Sequence, residues 1–264
     1  MSKIISIVNQ KGGVGKTTTA INLSAALSTF GKKVLLIDLD SQGNSSRGYG
    51  IDITILNRTI FDVLIGNCTI NQSIKKTTIP HVDIIPSNLK LSNLESEINK
   101  KSLDPLHLLS SKIKEIKGNY DFVLIDCPPS LGIISLNALI ASHSALVPVQ
   151  CEYFAMEGLA QVISTINRVQ TNYNKNLKIE GFLLTMLESR SKLGLEVIEQ
   201  VRGLFRESTY NVVIPRNVSI SEASAMGVPV LKYKPTSAGS QAYLQLGREV
   251  IDANEWTKVL KKRS

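Results

Sequence analysis

The stretch IISIVNQKGGVGKTTTAINLSAAL, residues 4–27, decides the fold. A strand-like segment, IISIV over 4–8, leads into a glycine-rich turn, and a helix-forming segment over 16–30 follows. Strand, turn and helix in that order let backbone N–H groups converge on phosphate oxygens, with the helix N-terminus adding partial positive charge. Gly12, Gly13 and Gly15 keep the loop clear of side chains where a phosphate would approach, with Val14 between them. Lys16 is placed to reach β- and γ-phosphates, Thr17 to hold Mg²⁺ through its hydroxyl, and Thr18 to contact the α-phosphate side.

One position departs from the ordinary pattern, G-x-x-x-x-G-K-[ST]. Its first glycine would stand at residue 10, where the sequence has Gln10 followed by a second lysine, Lys11. From the far side of the loop Lys11 has no simple path to phosphates that Lys16 already serves. A second subunit docked face to face could carry its own Lys11 across the interface, where the charge would offset that developing on a transferred phosphoryl group. Such trans groups contribute about 10³–10⁵ in rate. The loop thus predicts a dimer with shared sites.

Working outward, the runs 34–37, 82–85, 122–125, 145–149, 181–185 and 211–214 read as further strands. Continuous Val/Ile/Leu runs of this length suit strands covered on both faces of a parallel sheet. Helical segments over 133–141, 155–172, 193–207 and 238–262 alternate with several of them, and Gly31 suits the end of the first helix. SISE, 219–222, reads as a capping box opening a short helix that Gly227 closes. The region 50–118 is less regular and reads as an elaboration. The expected architecture is α/β: a doubly wound, mostly parallel sheet flanked by helices, in one domain over 1–264.

Carboxylates fall where such sheets bind ligands, at strand C-terminal ends. Asp38 and Asp40 close the second strand in VLLIDLDSQGNSS, 34–46. One could order Mg²⁺ through water and the other position an attacking water. Asp40, farther out, is favoured for the water, and Asp38 better fits a turn-capping role. In YDFVLIDCPPS, 120–130, four apolar residues precede Asp126, as a metal-serving strand-end acid requires. The candidate metal set is Thr17, Asp40 and Asp126, and the candidate catalytic set Lys11, Lys16 and Asp40.

With 43% hydrophobic and 20% charged residues the composition is that of a water-soluble globular chain. No apolar run approaches the ~18 residues of a membrane span, and no basic leader precedes the first strand, so a cytoplasmic location is expected. Three scattered cysteines exclude a disulfide framework. Net charge is +8, and from Arg190 onward 12 basic residues face 7 acidic ones, which places +5 of the excess there. An anionic partner suits that asymmetry.

Together these segments resemble the deviant Walker A family of P-loop ATPases, whose K-G-G-x-G-K-[ST]-[ST] loop carries a signature lysine. Within it the chain resembles the ParA/Soj branch, on NQKGGVGKTTTAINL, VLLIDLDSQGN, FVLIDCPPSLG, VPVQCEYFAMEGL, FLLTMLESR and VIPRNVSISEA, spanning residues 9 to 223. The resemblance implies an ATP- and Mg²⁺-dependent partitioning ATPase, acting on a chromosome or plasmid. Its ATP-bound sandwich homodimer binds DNA without sequence preference, on the nucleoid, and a ParB-like centromere-binding protein stimulates hydrolysis. Lys11 then carries over as the trans lysine, and Pro215, Asn217 and Met186 as parts of an adenine pocket. Arg190 falls on the family's DNA-contacting arginine.

Two departures stand out. Ser41 replaces the usual proline after the second aspartate, and YKPTSAG, 233–239, has Thr236 and Ala238 where arginines are common. Lys192, Arg216, Lys232, Lys234 and Arg248 are therefore added to Arg190 as candidate DNA contacts. The alternative is a membrane-associated positioning ATPase of the related MinD branch, working through the basic, amphipathic end NEWTKVLKKRS, 254–264. The internal stretches favour ParA/Soj, and that end reads as packed on its apolar side. Cys127 and Cys151 read as buried strand-end cysteines, not ligands of a bridging cluster.

Overall fold

In the computed structural model, which describes residues 2–116 and 118–263 with side chains through Glu255, the apolar runs form a seven-stranded sheet. Its strands are β1 (Lys3–Ile7), β2 (Val34–Asp38), β3 (Lys75–Lys76), β4 (Val82–Ile85), β5 (Phe122–Asp126), β6 (Ser144–Gln150) and β7 (Lys178–Thr185). They lie in the order β3-β4-β2-β5-β1-β6-β7, every pair parallel except β3 with β4. The exposed two-residue edge strand β3 has no apolar run to announce it.

Alternation along the strands divides the interior in two. Ile5, Ile7, Leu36, Leu124 and Leu183 face one side, while Leu35, Ile37, Val123, Ile125 and Leu184 face the other. The first side is covered by α1 (Lys16–Thr29) and α12 (Ala238–Arg263), with α10 (Val218–Ala225) and α11 (Val230–Tyr233) beside them. α2 (Asn44–Arg47) follows the Asp40 loop. α3 (Ile60–Leu64), α4 (Ile70–Ser73), α5 (Leu94–Lys101) and α6 (Leu108–Ile113) cover the other side with α7 (Ile133–Ala141), α8 (Ala155–Asn172) and α9 (Lys192–Phe205). Both faces are covered by helices, which is why the strand sequences carry no regular polar alternation.

Two local expectations are overturned. Residues 211–214 form no strand. The N–H groups of Asn211 and Val212 are taken by the Glu249 carboxylate of α12, at 2.8 and 3.0 Å, so a continuous ladder to β7 cannot form. The segment only touches β7, through Tyr210 N to Phe182 O and Ile214 N to Leu184 O. Nor does SISE cap a helix: α10 starts at Val218 with extended Asn217 as its N-cap residue, which leaves Ser219 inside the first turn. Gly227, at φ +64°, closes it as expected. The expected packing of Trp256 and Val259 lies outside the described side chains.

Candidate functional site

The loop after β1 is shaped by its own side chains. Asn9, buried, donates to Pro148 O at 2.7 Å and accepts from Lys11 N at 3.0 Å, which turns the chain out of the strand. Gly13 and Gly15 then adopt φ of +77° and +91°, the left-handed region that L side chains avoid. Gly15 is also the residue from which α1 starts, so its conformation fixes where the helix N-terminus points. Thr185, at the end of β7, braces the loop by donating to Val14 O at 2.9 Å. Gly15→Ala is expected to weaken nucleotide binding by about tenfold, since a left-handed L residue costs about 1–2 kcal/mol. Titration with a fluorescent ATP analogue checks this, and unchanged affinity would show that the loop accommodates the strain.

The two lysines are separated by their partners. Lys16 is buried, and its Nζ donates to the carbonyl of Lys11 at 3.0 Å. Burial lowers its pKa, opposed chiefly by the charge of Asp126. Lys11 is turned away: its Nζ meets Glu152 Oε2 at 3.3 Å, on the loop after β6, with more than a third of its side chain exposed. Tyr153 and Phe154, next to Glu152, project into solvent in an edge-to-face pair.

Asp38 and Asp126 stand in register on neighbouring strands, both fully buried. Asp38 accepts from Ser46 N and Oγ at 2.9 and 2.7 Å and from Asp40 N at 3.1 Å, so it organises the loop, as its sequence position suggested. Burial pushes its carboxyl up to about 6 against those bonds. Asp126 is pushed up to about 7, by burial first and the Asp38 charge second, with the Ser45 and Thr17 hydroxyls opposing. Ser45 satisfies one Asp126 oxygen at 2.8 Å, but the other, Oδ1, is buried with no partner. An orphaned carboxylate oxygen near a threonine hydroxyl suits a divalent cation. Asp40, half-buried, lies outside this pair and accepts from Gln42 N at 2.9 Å.

A cavity of about 380 Å³ opens beside the loop, lined by Gly15, Thr18, Met186, Pro215 and Asn217 among others. Met186 has φ +56°, a strained conformation for a side chain of its size, and it sits on the cavity wall. Asn217 Oδ1 is buried there without a partner, an acceptor suited to an exocyclic amine. Thr18, Met186, Pro215 and Asn217 are thus brought to one place, from three separated stretches of chain. Thr185 and Ile220, within FLLTMLESR and VIPRNVSISEA but not singled out there, join them, as does Tyr243, which no quoted stretch contains.

The six basic candidates are exposed and do not form one cluster of contacts. Arg190 precedes α9 and Lys192 begins it, Lys232 sits on α11 and Lys234 just after it. Arg216 pairs with Glu188 at 3.0 Å, and Arg248 lies over the Phe30 ring, 5.6 Å from its centroid. Cys127 and Cys151 are buried and unbridged.

A sheet in this order, with the glycine loop on the C-terminal edge of an interior strand and a strand-end acid next door, defines a P-loop NTPase of the deviant Walker A type. A family model described as an AAA domain matches residues 2–179. The Soj sporulation initiation inhibitor protein of Bacillus subtilis is 47% identical over 250 residues, covering 95% of this chain and 98% of that protein. The chromosome partitioning protein ParA of Caulobacter vibrioides is 47% identical over 251 residues, covering 94% of each. Among solved structures, cobyrinic acid a,c-diamide synthase of Mycobacterium smegmatis with bound ATP analogue and magnesium aligns with a TM-score of 0.85 at 32% identity, over 95% of this chain and 94% of that one. The chain belongs to the ParA/Soj family of partitioning ATPases. Among the described residues no helix is long and apolar enough to cross a membrane.

Proposed function

We propose that the protein is an ATP-driven partitioning switch. ATP with Mg²⁺ is held by the glycine loop: Lys16 on the β- and γ-phosphates, Thr17 and Asp126 with the cation, and the base in the cavity at Asn217. Mg²⁺ would supply charge neutralisation at the phosphates. A solved relative with ATP analogue and magnesium at 32% identity supports both groups. Asp40 positions the attacking water, while Lys11 serves the nucleotide of a second copy in a sandwich homodimer. The observation that carries this reading is the division of labour between the lysines. Lys16 is buried inside its own loop, and Lys11 faces outward beside Glu152.

Mass in solution tests it. A doubling with ATP·Mg²⁺ and not with ADP·Mg²⁺ is expected, and a monomer at every concentration overturns the shared-site reading. The ATP form then binds DNA without sequence preference, which would place it on the nucleoid, and a ParB-like protein accelerates its hydrolysis. Co-sedimentation with DNA, and not with vesicles of anionic lipid, distinguishes this from the membrane-associated alternative.

Sequence-independent binding is almost wholly electrostatic. If Arg190, Lys192, Arg216, Lys232, Lys234 and Arg248 each neutralise one phosphate, affinity should fall about 10³-fold between roughly 50 and 200 mM salt. A flat response would count against DNA as the anion these residues meet.

A further inference from the structure

We propose that the turn 227–230 couples the nucleotide site to Lys232 and Lys234, with Asn22 as the positioning residue. This rests on the DNA role given above to those two lysines. It concerns how their placement would follow the state of the bound nucleotide.

Two elements from the nucleotide side converge on this turn. The first is α1, which opens at the glycine loop. Asn22, one helical turn beyond Thr18, is buried, and its amide is used at both ends. Nδ2 donates to Thr18 O at 2.8 Å, and Oδ1 accepts from Val230 N at 2.8 Å. Val230 is the first residue of α11, so its N–H has no partner within that helix. Asn22 supplies the acceptor from a residue 208 positions away in sequence. A shift of α1 at Thr18 is therefore passed directly to the origin of α11.

The second element is the loop that follows Asp40. Gly227, at φ +64°, lies against it so closely that a Cβ there would stand 2.9 Å from Gly50 Cα and 3.0 Å from Arg47 O. That loop is itself tied to both the acid pair and α1. Ser46 binds Asp38, and Tyr49 Oη lies 2.6 Å from Ser24 Oγ and 3.1 Å from Ile21 O. α1 cannot slide past the turn without breaking the buried Asn22–Val230 bond, and the loop is held against the turn by the close backbone approach at Gly227.

On its far side the turn drives the basic segment as a unit. Ser240 Oγ, fully buried, is within hydrogen-bonding distance of Val230 O, at 2.9 Å, and Lys234 O, at 2.7 Å. Lys234 N donates to Val230 O at 2.8 Å. The backbone from 230 to 234 is thus tied to α12 while Lys232 and Lys234 are exposed, and among the described residues neither forms an ion pair.

The experiment compares DNA affinity with ATP and with ADP, for wild type, Asn22→Ala, and Lys232→Ala/Lys234→Ala. Asn22→Ala should reduce the ATP-to-ADP affinity ratio by about tenfold, within the usual range of site-to-site coupling. ATP affinity and the mass of the ATP form should stay within about twofold, a split that general destabilisation would not produce. The double lysine variant should instead lower affinity in both nucleotide states. An Asn22→Ala protein that keeps the wild-type ratio overturns the proposal. Hydrogen exchange of the wild-type amides at 230–234 gives an independent reading, should the variant not fold or should wild type bind no DNA. A difference between the ATP and ADP forms is expected, and equal exchange overturns the coupling. Absence of DNA binding by wild type would remove the DNA role alone.

Discussion

Lys11→Ala is expected to lower ATP turnover by about 10³-fold or more, the range of groups that act in trans on a transferring phosphoryl. ATP affinity should stay within a few-fold. The reason lies in which atoms of Lys11 serve the loop. Its carbonyl receives Lys16 Nζ and its N–H binds Asn9, and both are main-chain contacts that alanine preserves. Among the described residues the ammonium pairs with Glu152, in a half-exposed contact of the kind that contributes about 0–1 kcal/mol. Truncation thus leaves the cradle intact and removes only what the ammonium does elsewhere. Equilibrium titration and steady-state turnover, measured on one preparation, check the two halves. Loss of all nucleotide binding would mean that Lys11 serves its own loop, and the trans role would fall.

Asp40→Ala should cut hydrolysis by about 10²–10⁴-fold, the contribution of a positioned general base, while the ATP-dependent dimer and its DNA binding persist. The neighbouring acid explains why the loop survives. Asp38, not Asp40, holds the turn together, through Ser46 and the N–H of Asp40. Asp40 contributes one side-chain bond of its own, to Gln42 N, at a net cost of about 1 kcal/mol when lost. Asp38→Ala would instead leave the Ser46 donors buried and unpaired, and nucleotide binding should suffer with the fold. Single-turnover hydrolysis beside mass and DNA co-sedimentation separates the two aspartates. Normal turnover by Asp40→Ala would remove Asp40 from the reaction.

What could be read from the sequence was what is local. Lys16, Thr17 and the glycines lie within a few residues, and Asp126 ends a run whose burial on two faces forces its Val/Ile/Leu content. The strand at 211–214 misled because its apolar residues do pack inward, while a carboxylate on α12 takes the backbone donors that would have made it a strand. Asn217 is expected in the base pocket through resemblance, but its place as the N-cap residue of α10 displaces the capping box read at Ser219. Glu152 and Thr185 went unseen for a different reason. Their partners lie 141 and 171 residues away, and nothing in the spacing of a glutamate or a threonine signals a contact at that range.

The two margins of the sheet are finished in different ways. One ends in Lys75 and Lys76, a two-residue, charged, exposed strand, and the other is met intermittently by Tyr210 and Ile214, whose neighbours bond to α12. Neither rim offers the long, flat ladder that invites another chain to extend it. Strand addition is thereby disfavoured at both rims, which leaves the loops and helices as the surfaces through which copies of this chain would meet.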